Sequence, residues 1–240
     1  MGKNERKGAR RDRRQRLFKR IPELGYYIVV TDAQETEVNY LHGIRDSIPV
    51  ELRDRLVIKV ITAPTYSLLD KCLELAAVEP QYRKPWIVFD RDQIKDFDRI
   101  IADASRQGVY VGWSNPCLEI WFHAYFADMP VNAMPTKCIG AFGATFKRQT
   151  GQEYYKTDEG IYRKLCKFGD EKTAIKTAKD RYQRQDISAK PSEMLSTTTL
   201  FILVEEIREK LEAQDEKNKK GVYYDEEQST GKIPWSTEQT

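Results

Sequence analysis

Apolar residues in this chain fall into short blocks that alternate between two spacings. Nearly continuous apolar runs occur at Tyr26–Val30, Leu56–Ile61, Trp86–Phe89 and Val109–Gly112, each bounded by glycine, proline or charge. A run that short, without polar alternation, predicts a strand buried on both faces, as in a parallel sheet. Between the runs the spacing is helical. Val38, Leu41 and Ile44 share a face over Thr36–Arg45, and Leu68, Leu69, Leu73, Leu75 and Ala76 fall within Tyr66–Val78. Ile94, Phe97, Ile100 and Ile101 point inward over Gln93–Arg106, which Gly108 ends. Strand and helix in alternation predict an α/β fold with a parallel sheet and right-handed crossovers.

Past the fourth run the pattern changes. Ser114-Asn115-Pro116 reads as a turn that opens a helix over Cys117–Phe126, with proline in the first helical turn and capping residues before it. Residues 129–155 hold several Gly, Pro and Thr and read as an irregular surface excursion. Helical spacing returns with Ile161, Leu165 and Phe168, then Ala174, Ile175 and Ala178, and ends in an amphipathic helix over Leu195–Leu211. The expected organisation is a basic tail (1–23), an α/β core (24–128), an irregular and helical subregion (129–212) and a charged, disordered tail (213–240). There is no internal repeat.

Composition narrows the class. An apolar fraction of 40% supports a core, and no apolar run reaches the length of a membrane span. The N-terminus has no signal-like apolar region, so the expectation is a soluble, cytoplasmic protein without membrane contact. Cys72, Cys117, Cys138 and Cys166 form no C-x-x-C pair and read as reduced thiols, and two histidines exclude a histidine-rich metal site. The net charge of +3 conceals a dense basic block over residues 1–20. Its arginines, Arg10, Arg11, Arg13 and Arg14 among them, suit phosphate backbone without sequence preference. A solubilising tail explains them equally well.

The acids carry the chemistry. Asp32 stands at the exit of the first strand with Glu35 and Glu37 behind it; Asp90 and Asp92 stand at the exit of the third. Glu119 follows the fourth, with Trp121 and His123 nearby. In a parallel sheet these exits share one edge, where open α/β sheets bind ligands. Residues i and i+2 of an extended segment point the same way, so Asp90 and Asp92 can face one point, where two like charges need a cation between them. Hard oxygen donors suit Mg2+ or Mn2+. Taken alone, Asp-x-Asp in a solvated turn capping the next helix is the bland alternative. For phosphate charge the basic candidates are Lys137, Lys147, Arg148 and Lys156, which the sequence does not rank. Trp121 reads as core, and His123, four residues beyond Glu119, can share its helix face.

Thr36-Glu37, Asn39-Tyr40, Phe89-Asp90-Arg91-Asp92 and Ser114-Asn115-Pro116-Cys117-Leu118-Glu119-Ile120-Trp121 with His123 resemble the RloB-like family in order and spacing. The resemblance covers roughly residues 24–211. It implies a Toprim-like parallel sheet flanked by helices with a helical C-terminal extension. It further implies a Mg2+-dependent nuclease of bacterial antiviral defence, working beside an ATPase partner and kept inactive until infection is sensed, with RNA, including tRNA, as the favoured substrate. On that pattern Glu37, Asp90, Asp92, Glu119 and His123 are the catalytic candidates. Asp32, Glu37, Asp90 and Asp92 are the metal ligands. By charge, and not by the resemblance, Arg10, Arg11, Arg13, Arg14 and Lys156 are the candidate nucleic-acid contacts, and a second copy of the chain is a further candidate partner. Where the family has Glu-Gly after its first strand, this chain has Asp32-Ala33. Either Glu37 then takes the main metal-binding role or the site is weaker. The competing function is a non-catalytic module that binds nucleic acid or the ATPase through its basic N-terminus and helical C-terminal third.

Overall fold

A computed structural model describes residues 22–78, 83–92 and 94–229, with side chains described as far as residue 218. The basic block, with Arg10, Arg11, Arg13 and Arg14, lies outside the described residues. The chain through Val204 is one compact unit, and from Glu205 onward it is a second.

The four apolar runs form strands β1 (Gly25–Thr31), β2 (Leu56–Thr62), β3 (Arg83–Asp90) and β4 (Tyr110–Asn115). They pair in parallel in the order β2-β1-β3-β4. The crossover helices are α1 (Thr36–Asp46), α2 (Leu68–Ala76) and α3 (Phe97–Arg106). With helices on both faces the middle strands lose all contact with water, so Ile28, Val30, Ile87 and Phe89 are fully buried with Phe97 and Trp113 around them. This is the α/β, Toprim-like architecture, with a mostly parallel sheet flanked by helices and a helical C-terminal extension.

Three segments depart from the expectation. The region 129–155 is not an irregular excursion, because α5 (Pro135–Thr150) fills most of it. Its starting proline and terminal Gly151, in left-handed conformation at φ 73°, are the ordinary ends of a helix. Cys138, Phe142 and Phe146 recur at i+4 and are fully buried, an apolar stripe that the glycines and threonines around it conceal in the sequence. Ser114 and Asn115 do not open the next helix but belong to β4, which a two-residue antiparallel strand, β5 (Thr197–Thr198), holds through Ser114↔Thr198 and Asn115↔Thr197. The helix α4 (Glu119–Ala124) starts after them. Finally, α8 (Leu200–Ser229) continues past Ala213, where a disordered tail was expected.

The helices α6 (Ile161–Phe168) and α7 (Glu171–Gln183) complete the C-terminal part of the first unit. Gly43 of α1 lies against Tyr162 of α6, and a Cβ at Gly43 would stand 2.2 Å from the Tyr162 Cβ. Gly43→Ala therefore forces α1 and α6 apart. The expected loss is about 1–3 kcal/mol, or about 3–10 °C in melting temperature by calorimetry. No helix among the described residues is long and apolar enough to cross a membrane.

Candidate functional site

The carboxyl edge of the sheet gathers the acids. Asp90 ends β3, and its Oδ2 accepts the Leu118 N–H at 2.9 Å, which ties the strand exit to the start of α4. Glu37 sits in the first turn of α1, almost fully buried, and shares a hydrogen bond with the Asp90 carboxyl. Burial makes both harder to ionise than an ordinary carboxylate. Glu37 is pushed up to about 7 chiefly by burial, with Glu119 and Asp32 adding repulsion. Asp90 is raised well above the carboxylate range by burial, then by Glu37 and Glu119. Two acids remote in sequence thus share a proton between them.

Glu119, in the first turn of α4, is the third member and is fully buried. Its Oε1 accepts the Tyr154 hydroxyl at 2.9 Å and lies 3.7 Å from the Lys156 Nζ. Burial works against charging Lys156, but Glu119, Glu37 and Asp90 outweigh it and raise its ammonium above the ordinary value. Of the basic candidates it is the one in contact with a site acid through a described ion pair. The segment bearing Tyr154 and Lys156 is pinned to α1 as well, since the Thr36 hydroxyl donates to the Lys156 carbonyl at 3.5 Å.

Asp32 stands to one side. Its Oδ2 accepts the Thr65 hydroxyl at 2.7 Å, and its carboxyl is raised by burial more than that bond lowers it, with Asp92 adding repulsion. Ala33 is not among the described residues with positive φ, so the lack of glycine there imposes no left-handed strain. Asp92 is placed differently from expectation. The period-two geometry ends with the strand at Asp90; Asp92 has φ 33°, and its N–H donates to the Pro116 carbonyl at 3.0 Å. Its side chain is exposed, and its charge is felt at Asp32. Asp92 thus acts on Asp32, Asp32 on Glu37, and Glu37 is bonded to Asp90. Among the described residues no group of three or more histidines, cysteines or acids is arranged to hold a metal ion.

The donors nonetheless fit a hard cation. Mg2+ keeps several waters and is ordinarily held by one or two carboxylates together with substrate phosphate oxygens. The buried Glu37–Asp90 pair brings two such carboxyl groups to one place. His123 lies on α4 one turn beyond Glu119, buried edge-on against Phe142, with both ring nitrogens lacking a hydrogen-bond partner. Burial lowers its basicity, which keeps the ring neutral. Trp121 is fully buried against Tyr40 and Tyr125, a core residue. Sequence reasoning overlooked Tyr154, whose only signal is its place two residues before Lys156.

The sequence profile described as RloB-like protein matches residues 27–207, which takes in every site acid and the four parallel strands apart from the start of β1. The chain belongs to the RloB-like family. No curated protein and no solved structure matches it. In this RloB-like chain Glu37, Asp90 and Glu119 converge, and Ser114-Asn115-Pro116 serves to end β4 and to receive the Arg91 and Asp92 N–H groups.

Proposed function

We propose that this RloB-like chain is a divalent-metal-dependent nuclease that hydrolyses phosphodiester bonds, with RNA as its favoured substrate, in a bacterial antiviral system that pairs it with an ATPase. The observation that carries this reading is the buried Glu37–Asp90 carboxyl pair at the sheet edge, with Lys156 beside it. Bound there, Mg2+ or Mn2+ would polarise a phosphodiester and supply a nucleophilic water at neutral pH. Glu37 and Asp90 would hold it, with Asp90 fixed in orientation by the Leu118 N–H. Glu119 is locked by Tyr154 through Oε1, which leaves Oε2 to orient a water. The Lys156 ammonium takes up charge that builds on the phosphate oxygens.

The test is incubation of the purified chain with total RNA and with plasmid DNA, with and without Mg2+ or Mn2+. Products that require the metal are expected. Intact substrates under all conditions contradict the reading. Lys156→Met is expected to lower kcat/KM about 100-fold with little change in melting temperature. An unchanged rate would remove Lys156 from the mechanism. A non-catalytic binding module instead predicts that neutralising the arginines of residues 6–20 abolishes function while Asp90→Ala leaves it intact.

A further inference from the structure

Two exposed tyrosines are chain neighbours of residues that touch the site acids. Tyr66 is 88% exposed and Tyr155 is 64% exposed. Exposed apolar side chains scattered singly are ordinary; these two are set apart because each adjoins a residue bonded to a site acid. Neither ring stands on a loose element. Tyr66 belongs to a single 3-10 turn, Thr65–Ser67, which follows β2. The Thr65 hydroxyl holds Asp32, and the Ser67 N–H and hydroxyl both donate to the Pro64 carbonyl, at 2.9 and 3.1 Å. Tyr155 lies between Tyr154 and Lys156, whose side chains both turn inward to Glu119. The residue between two inward neighbours is turned out.

Each ring adjoins a different acid of the sheet edge. Tyr66 follows β2, next to Asp32 at the exit of β1; Asp90 is at the exit of β3; Tyr155 sits with Glu119, which follows β4. We infer that Tyr66 and Tyr155 are stacking platforms for the bases of an unpaired polynucleotide strand whose backbone crosses the carboxylates between them. This inference rests on the proposed nuclease reading and adds its substrate class. Flat rings held by short, hydrogen-bonded segments bind base faces at little cost in ordering. A duplex hides those faces in its own stack, so the platforms serve single strands, loops and bulges. Lys156, half-exposed beside Tyr155, meets the phosphate that accompanies the stacked base.

The experiment is fluorescence anisotropy with labelled single-stranded RNA and DNA oligonucleotides and the matching duplexes. The full chain is used, in chelator and again in Ca2+, so that affinity is read without cleavage. The wild type is expected to bind single strands more tightly than duplex. Tyr66→Ala and Tyr155→Ala are each expected to weaken single-strand binding by about 5- to 150-fold, and the Phe variants, which keep the ring, to bind within about twofold of wild type. Both rings are in solvent, so melting temperatures should not move. Duplex bound as tightly as single strand, alanine variants that bind like wild type, or no binding at all would overturn the inference. Loss of metal-dependent products with stacking intact would instead overturn only the nuclease reading, and the two failures are read separately.

Discussion

Asp90→Asn is expected to remove metal-dependent cleavage by about 1,000-fold or more while leaving the fold intact. Asparagine has nearly the shape of the protonated carboxyl that Asp90 now holds. Its amide oxygen can still accept the Leu118 N–H, and its NH2 can donate to Glu37 where the carboxyl proton does now. The substitution therefore relieves the repulsion among buried acids, and a melting temperature equal to or above wild type is expected. What it removes is one anionic oxygen of the pair that receives the cation. Glu37→Gln should behave alike, and the double variant should lose little more than either, because two groups that act as a unit are not additive. Single-turnover cleavage of a labelled RNA gives the rates. Full activity in Asp90→Asn would remove the carboxyl pair from the chemistry.

The second large effect is the pH dependence of stability in metal-free protein. Glu37 is pushed up to about 7 in the fold, mainly by burial, from an ordinary 4.5. Between those values the folded chain keeps a proton that the unfolded chain has released. The stabilisation is thus complete below about pH 4.5 and is lost as pH rises through 7. The 2.5-unit difference amounts to about 3 kcal/mol, or about 6–12 °C in melting temperature. Asp90, also raised well above the carboxylate range by burial, acts in the same direction. Saturating Mg2+ replaces the proton and should flatten the profile above pH 6. Thermal unfolding from pH 4.5 to 8, with Glu37→Gln as the reference that lacks this carboxyl, isolates the effect. A wild type that gains stability over the variant as pH rises, without metal, would contradict it.

The sheet was legible because its residues leave little choice: four apolar runs separated by helical spacing can be wound in few ways. The acids were legible for the same reason, since Asp32, Asp90 and Glu119 follow strands and a parallel sheet puts strand exits on one edge. The fate of Asp92 was not. Its side chain depends on a φ of 33° that no local pattern announces, so alternation was carried one residue pair too far. Helix α5 was hidden because Gly140, Gly143 and its threonines weaken helical propensity. The helix stands on the burial of Cys138, Phe142 and Phe146 against the rest of the fold, and tertiary burial outweighs propensity. The assignment of Ser114 and Asn115 to a strand depended on β5, eighty residues later and two residues long. Tyr154 could be found only once Glu119 had a position, because a single hydrogen bond from a distant segment has no signature in sequence.

The claim beneath all of this is that Glu37 and Asp90 jointly receive a divalent cation at the edge of the sheet. A crystal soaked in Mn2+ and measured at the manganese absorption edge reads this directly. An anomalous peak within bonding distance of both carboxylates, about 2.2 Å, is the predicted result, and it should vanish in Asp90→Asn. A map without a peak there at millimolar Mn2+, or with manganese bound elsewhere on the chain, would contradict the account.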